Sequence, residues 1–283
     1  MRRRTAAAEK TDARKKFGSF KKDDPKSIRN LKIEPNKELE GIFELYRDFV
    51  TIENTVEPGI RGRSTEKRLT VLGILLKRKK FSAQGIMGFS KSFLARYPDF
   101  SGHDGTFGSF ITAMMQKSED SDFLVWLPET NEEMIIGNEN EKNVIIYDSI
   151  YSTVFPEMKK GKAEVFGNVR TVGKGMVSGE IIVHGRSFGW VGPDMEGGRI
   201  IVEEKAETVG CGMKGGEAII YGDCGHEVGR CMSGGKVHIH GNVRHLGTDR
   251  TTGGEIHVDG DYMTLGDIKG GKIYHKGKLI IDR

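Results

Sequence analysis

Cysteine is scarce in this chain, with three in 283 residues, too few and odd in number for a disulfide framework. No apolar run approaches the roughly 18 to 20 residues that a spanning helix needs. Hydrophobic residues make up 36% and charged residues 30%, so the sequence argues against an integral membrane protein and for a soluble globular chain. A secretory leader is not expected either, because MRRRTAAAEKTDARKK carries Glu9 and Asp12 and no apolar stretch follows it. The expected location is the cytoplasm.

Proline and phenylalanine run out partway along the chain: six of seven prolines and 12 of 14 phenylalanines precede residue 161. Glycine does the reverse, with 11 before that point and 28 after it. At about 150 residues per domain the length suggests two domains, and this shift puts their boundary near residue 160. Charge is uneven too: residues 1–32 hold 12 Lys/Arg against 4 Asp/Glu, and the remainder 32 against 36. Residues 1–38 are therefore expected to be a basic, disordered arm with too little apolar surface to fold alone. Such an arm can neutralise phosphates, which makes nucleic acid a candidate partner; its plainer role is solubility.

Residues 39–150 read as a small α+β, mostly helical domain. Leu39, Ile42, Phe43, Tyr46, Phe49 and Val50 recur at helical spacing, and Pro58 and Gly59 then break the chain. Further helices are predicted over 65–80 with Ser64 as N-cap, over 83–97 up to Pro98, and after Asp104 with Phe107, Phe110, Ile111, Met114 and Met115 on one face. The stretches DFLVWLP, EMIIG and NVIIYD predict a short antiparallel β meander. Helices followed by a strand pair resemble a winged helix in outline. The last helix, however, offers only Gln116, Lys117 and small polar groups for groove reading, a poor set for that task.

From Lys162 onward the sequence repeats. Paired glycines at 197–198, 215–216, 234–235, 253–254 and 270–271 recur every 17 to 19 residues, the mark of one supersecondary coil per repeat. After each pair, alternate residues such as Ile200 and Val202, or Val237 and Ile239, form inward columns. A second apolar column, Val172, Val191, Val209, Val228, Leu246 and Leu265, fixes another wall, and Met176, Met195, Met213 and Met232 stack as a core-filling ladder. The expected fold is thus multidomain: an all-β, right-handed parallel β-helix of about six coils over residues 160–283, preceded by the helical domain. The outward column runs Ile182, Ile201, Ile219, then His238, His257, Tyr274. An isoleucine stripe facing outward marks a covered surface, so Ile182, Ile201 and Ile219 are the candidate partner interface, covered by residues 39–150 or by another chain.

The segments GEIIVHG, WVG, M, GG and EAIIYGDCGHEVGRCMSGGKVHIHG resemble the glycine-rich GXGXG β-helix family, which includes the C-terminal domain of the glutamate synthase large subunit and the β-helical subunit of formylmethanofuran dehydrogenase. The resemblance covers about residues 160–280. It implies a structural or docking module belonging to an oxidoreductase complex rather than the place where bonds are made. Upstream there is no cysteine directly after Met1 and no iron–sulfur cysteine cluster, so the chain does not read as a complete synthase.

Three glycine signatures fall inside the repeat, which itself accounts for them. Residues 185–189 match G-x-S-x-G, but that elbow requires a following helix. Residues 210–215 match G-x-G-x-x-G with the same requirement, and in GDIKGGK Ile273 stands where a P-loop needs Ser or Thr. Seven of eight histidines lie in the repeat. Among them His238, His240 and His257, with Asp259, occupy neighbouring outward positions and are the candidate ligands for zinc or another transition metal. Cys211, Cys224 and Cys231 fall at different repeat positions, and His226 beside Glu227 and Cys224 makes a catalytic pair only by coincidence of folding. The sequence assigns no catalytic residue and no cofactor. The expected partner is a protein or a second copy of the chain, with nucleic acid as the alternative through the basic arm.

Overall fold

Among the described residues, four helices form where the apolar spacing predicts them: α1 (Lys37–Thr55), α2 (Thr65–Leu75), α3 (Ala83–Arg96) and α4 (Thr106–Lys117). The computed structural model describes residues 33–55, 65–98, 100, 105–128, 134–147, 152–248 and 250–283. The expectations placed on residues 1–32, on Pro58 and Gly59, on Ser64 and on Asp104 lie outside the described residues. The chain divides into two units, Met1–Asn36 and Lys37–Arg283, and all that follows concerns the second. Among the described residues no helix is long and apolar enough to cross a membrane.

The helices share an aromatic core. Phe43, Tyr46 and Phe49 of α1 meet Phe89 and Phe93 of α3 and Phe107 and Phe110 of α4, with ring centroids as close as 4.3 Å for Phe93 and Phe107. Such rings gain about 0.5–1.5 kcal/mol per pair beyond their burial. The Tyr46 hydroxyl keeps a partner in this core, 2.9 Å from Thr106 Oγ1. Helix α3 starts at Ser82, whose Oγ accepts from Gly85 N at 2.9 Å, a side-chain N-cap.

The strands form a parallel β-solenoid. One wall is a ten-stranded sheet in the order β1 (Asp122–Trp126), β3 (Asn143–Tyr147), β5 (Lys162–Phe166), β7 (Glu180–Val183), β9 (Arg199–Val202), β11 (Glu217–Ile220), β12 (Ser233–Ile239), β14 (Thr252–Val258), β16 (Gly270–His275) and β17 (Lys278–Asp282). All neighbours are parallel except β16 and β17. The second wall holds β2 (Ile135–Ile136), β4 (Thr153–Val154), β6 (Thr171–Val172), β8 (Ser187–Val191) and β10 (Ala206–Val209), continued through single bridges to β13 (Val243–Leu246) and β15 (Tyr262–Leu265).

Two expectations are corrected. The solenoid makes about eight turns over residues 122–275, not six, and the stretches read as an antiparallel meander are its first rungs, since β1 pairs with β3, and β3 with β5, in parallel. Between β1 and β3, Ile135–Ile136 belong to the other wall, as β2. These rungs keep only part of the repeat's frame: Gly137, Met158 and Gly161 hold their places, and other positions do not. Asn140 is buried where later coils place methionine, and it keeps its own partners, accepting from Lys142 N and donating to Lys142 O. Phe155 stands in the later glycine position with φ of +52°.

Inside, the expected columns hold. Met176, Met195, Met213 and Met232 are fully buried, and Met158 extends their ladder by one rung. Val172, Val191, Val209, Val228 and Leu246 line the second wall, whereas Leu265 on its last rung is 40% exposed. The paired glycines have two separate causes. A Cβ on Gly215 would lie 2.2 Å from the Glu196 carbonyl oxygen of the preceding coil, and Gly216 holds φ of +80°. The first glycine is needed for close backbone approach, the second for a left-handed corner.

Both ends of the stack are treated. Among the helices, α3 lies on β1, where Ser90 Oγ accepts from Trp126 N at 3.2 Å. Helix α4 lies on β2, where Thr112 Oγ1 accepts from Gly137 N at 2.9 Å. Unpaired edge donors are thereby satisfied. At the other end the short strand β17 turns antiparallel, carries Lys278 and slips register opposite Ile273 and Tyr274, three devices that discourage further strand addition.

Glycine substitutions follow with opposite signs. Gly215→Ala meets fixed backbone and should destabilise by about 1–3 kcal/mol or more. Gly73→Ala in α2 finds nothing within 4 Å and should stabilise by about 0.5–1 kcal/mol through helix propensity. The urea midpoint, at unchanged slope, reads both.

Candidate functional site on the outer sheet face

In a parallel stack without register shift, each outward position becomes a column running the length of the sheet. The first column reads Asp122, Asn143, Lys162, Glu180, Arg199, Glu217, Lys236, Glu255, Lys272. From Lys162 onward the sign alternates at every rung, and ion pairs bridge the rungs, with Lys162 to Glu180 at 2.8 Å and Arg199 to Glu217 at 3.1 Å. Like charges directly opposite would repel; alternation turns the same contact favourable.

The second column reads Leu124, Ile145, Glu164, Ile182, Ile201, Ile219, His238, His257, Tyr274. Ile182 and Ile201 are half-buried and Ile219 is buried. Charged and aromatic side chains of the neighbouring columns flank this stripe.

The third column begins Trp126, Tyr147, Phe166 and continues through His184, Glu203, Tyr221, His240, Asp259 and Lys276, whose amides carry on the same interstrand ladder. Its first four rings stack face to face: Trp126 on Tyr147 at 5.5 Å, Tyr147 on Phe166 at 5.0 Å, Phe166 on His184 at 4.2 Å. The Lys91 ammonium sits 4.3 Å from the Trp126 ring, a cation–π contact. Sequence reasoning missed this stack and the charge ladder, although both follow from reading the outward positions at coil spacing back to residue 122.

His184 ends the ring stack between two carboxylates, Nε2 at 3.2 Å from Glu164 and Nδ1 at 3.0 Å from Glu203. Burial opposes the charged imidazolium, but the Glu164 and Glu203 carboxylates outweigh it and raise the His184 pKa above its ordinary value.

The candidate metal ligands divide. His238, His240 and Asp259 each offer an atom within 4.8 Å of the others. Asp259 Oδ2 is 3.0 Å from His238 Nε2 and 2.7 Å from His240 Nδ1. His238 lies on β12 and His240 one residue past its end, two apart in an extended run, so they share a face. Asp259 stands beside His240 one coil later. Burial tends to raise the Asp259 pKa, yet the two imidazoles hold it below the usual carboxylate range. His257 is turned elsewhere, with Nε2 3.3 Å from its neighbour Glu255 and its ring flat on Tyr274 at 4.3 Å. Tyr221 lies flat on His240 at 4.8 Å.

The other motifs are absorbed by the fold. Ser187 opens β8, not a helix, and its buried Oγ donates to Arg170 O at 3.1 Å. His226 Nε2 lies 3.1 Å from Arg244 Nη1, and its ring stacks on His245. Burial pushes the Cys224 thiol up to about 12, while Cys231 is exposed. No protein-family model, curated protein or solved structure matches the chain.

Two measurements check this electrostatic picture. A pKa raised on folding contributes stability that is full below the unfolded value, about 6.5 for histidine, and is lost as pH rises through the folded value. The wild type should therefore exceed His184→Gln in melting temperature by more at pH 6 than at pH 8.5. In the folded chain at pH 8, iodoacetamide should label Cys231 first and leave Cys224 unmodified, as peptide mass spectrometry would show.

Proposed function

We propose that this chain is a non-catalytic β-solenoid scaffold or subunit that docks to a partner protein through its outer sheet face. The observation that carries this reading is the run of Ile182, Ile201 and Ile219 on three successive rungs of a face whose flanking columns are charged or aromatic. Ile182 and Ile201 keep partial exposure while Ile219 is buried by its neighbours, so the free apolar area is that of the first two rungs, which a partner would cover. The resemblance to the GXGXG β-helix family supports the same role and suggests the partner's class: an oxidoreductase complex related to glutamate synthase or formylmethanofuran dehydrogenase. The competing reading is association with nucleic acid through the basic residues 1–32.

The test is co-purification of the chain from its native cells after nuclease treatment, with every retained chain and cofactor identified by mass spectrometry. The reading expects a stoichiometric protein partner that is lost from Ile201→Lys while that variant keeps the wild-type melting temperature. Recovery of the chain alone counts against docking. Salt-sensitive nucleic-acid binding that disappears on deletion of residues 2–32 would transfer the function to the arm.

A further inference from the structure

We infer that His238, His240 and Asp259 form a binding site for one divalent transition-metal ion, with zinc the natural occupant, on the outer face of the sheet. Three observations converge on it. The ligand atoms already face one point, all within 4.8 Å of one another. A tetrahedral ion bound at about 2.0–2.2 Å sets its ligands about 3.3–3.5 Å apart. Here Asp259 Oδ2 stands 3.0 Å from His238 Nε2 and 2.7 Å from His240 Nδ1. These two separations are shorter than a bound ion requires and the widest in the group, up to 4.8 Å, is longer, so the side chains must rotate to admit the ion.

The two rings also converge on a single oxygen. The two imidazole centroids lie 4.3 Å apart and both rings turn a nitrogen to the same carboxylate oxygen. Two neutral imidazoles can each donate an N–H to that oxygen, and a divalent ion would take the place of those two hydrogens. One divalent ion satisfies all three atoms together.

Finally, the rings are held in place. His240 is stacked on Tyr221 at 4.8 Å, and His238 lies between the buried Ile219 and His257 in its own column. Locked ligand orientation is what distinguishes a built site from a chance cluster. Two imidazoles and a carboxylate select zinc, cobalt, nickel or copper over calcium and magnesium, which take oxygen ligands. With three protein ligands at least one coordination position faces solvent, the open type of site. The structure narrows the four residues picked out by sequence to three, because His257 is engaged with Glu255 and Tyr274.

The experiment is calorimetric titration of the full, tag-free, EDTA-treated chain with zinc chloride, repeated with cobalt chloride to read ligand geometry from the visible spectrum. The expected result is one ion per chain. His240→Ala and Asp259→Ala should each weaken affinity by at least about tenfold, and His226→Ala should leave it within about threefold. All three ligands are partly exposed, so the variants should match the wild-type melting temperature in EDTA; Asp259→Asn, which keeps the side chain's shape, repeats the test if Asp259→Ala does not. Absence of saturable one-to-one binding overturns the assignment. So does binding that survives both His240→Ala and Asp259→Asn, or that falls equally in His226→Ala.

Discussion

Parallel stacking in register is the constraint on which the rest of this structure depends. Each residue of the ten-stranded sheet lies about 4.8 Å from its counterpart one coil earlier, so any choice of side chain is made against itself. Inward, that rule is easily met, because apolar side chains of similar volume pile into columns such as the methionine ladder. Outward, it forces solutions that an antiparallel sheet does not need. Charges change sign at each rung from Lys162 to Lys272, and rings lie flat upon one another from Trp126 to His184. The same rule places His238, His240 and Asp259 within reach of one another, because histidine recurs at the end of β12 and a carboxylate follows just past β14, one coil later.

The constraint also shapes the ends. A stack of parallel strands leaves one row of unpaired backbone groups at each terminus, and each row is dealt with differently. Helices α3 and α4 lie over the first rungs and lend hydroxyl oxygens to edge amides. The last rung is followed by a short, charged, irregularly paired strand, β17. Strand β17 remains the free edge of the sheet, with Leu279 and Ile280 exposed, and the long lateral faces run between the two ends. The isoleucine stripe and the histidine–carboxylate cluster both lie on the ten-stranded wall.

Much of this was legible in the sequence where the repeat is strict. The inward columns from residue 162, the methionine ladder, the second wall and the four helices follow from period and spacing alone. Legibility failed where the coils depart from the glycine frame. Between Asp122 and Gly161 the chain makes the same corners with Glu139, Phe155 and Glu157 at positive φ, residues that rarely adopt it, and with Asn140 in the methionine position. Without the glycine pair as punctuation, three short apolar stretches look like a meander, since strand direction is not written in composition. The candidate site was legible as far as the column positions of its histidines. Which of them converge was not, because the choice between Asp259 and Glu255 as partner is a matter of side-chain rotation, invisible in spacing.

The most direct test of the account is a spin-label distance across the stack. Labels placed at Asn143 and Lys236, with Cys211, Cys224 and Cys231 replaced by serine, sit in one column separated by five rungs. At about 4.8 Å per rung the two backbone positions should lie about 24 Å apart, and pulsed electron paramagnetic resonance should return a single narrow distribution consistent with that separation. A broad distribution, or a separation incompatible with five stacked rungs, would contradict a solenoid that begins before the glycine-rich repeat.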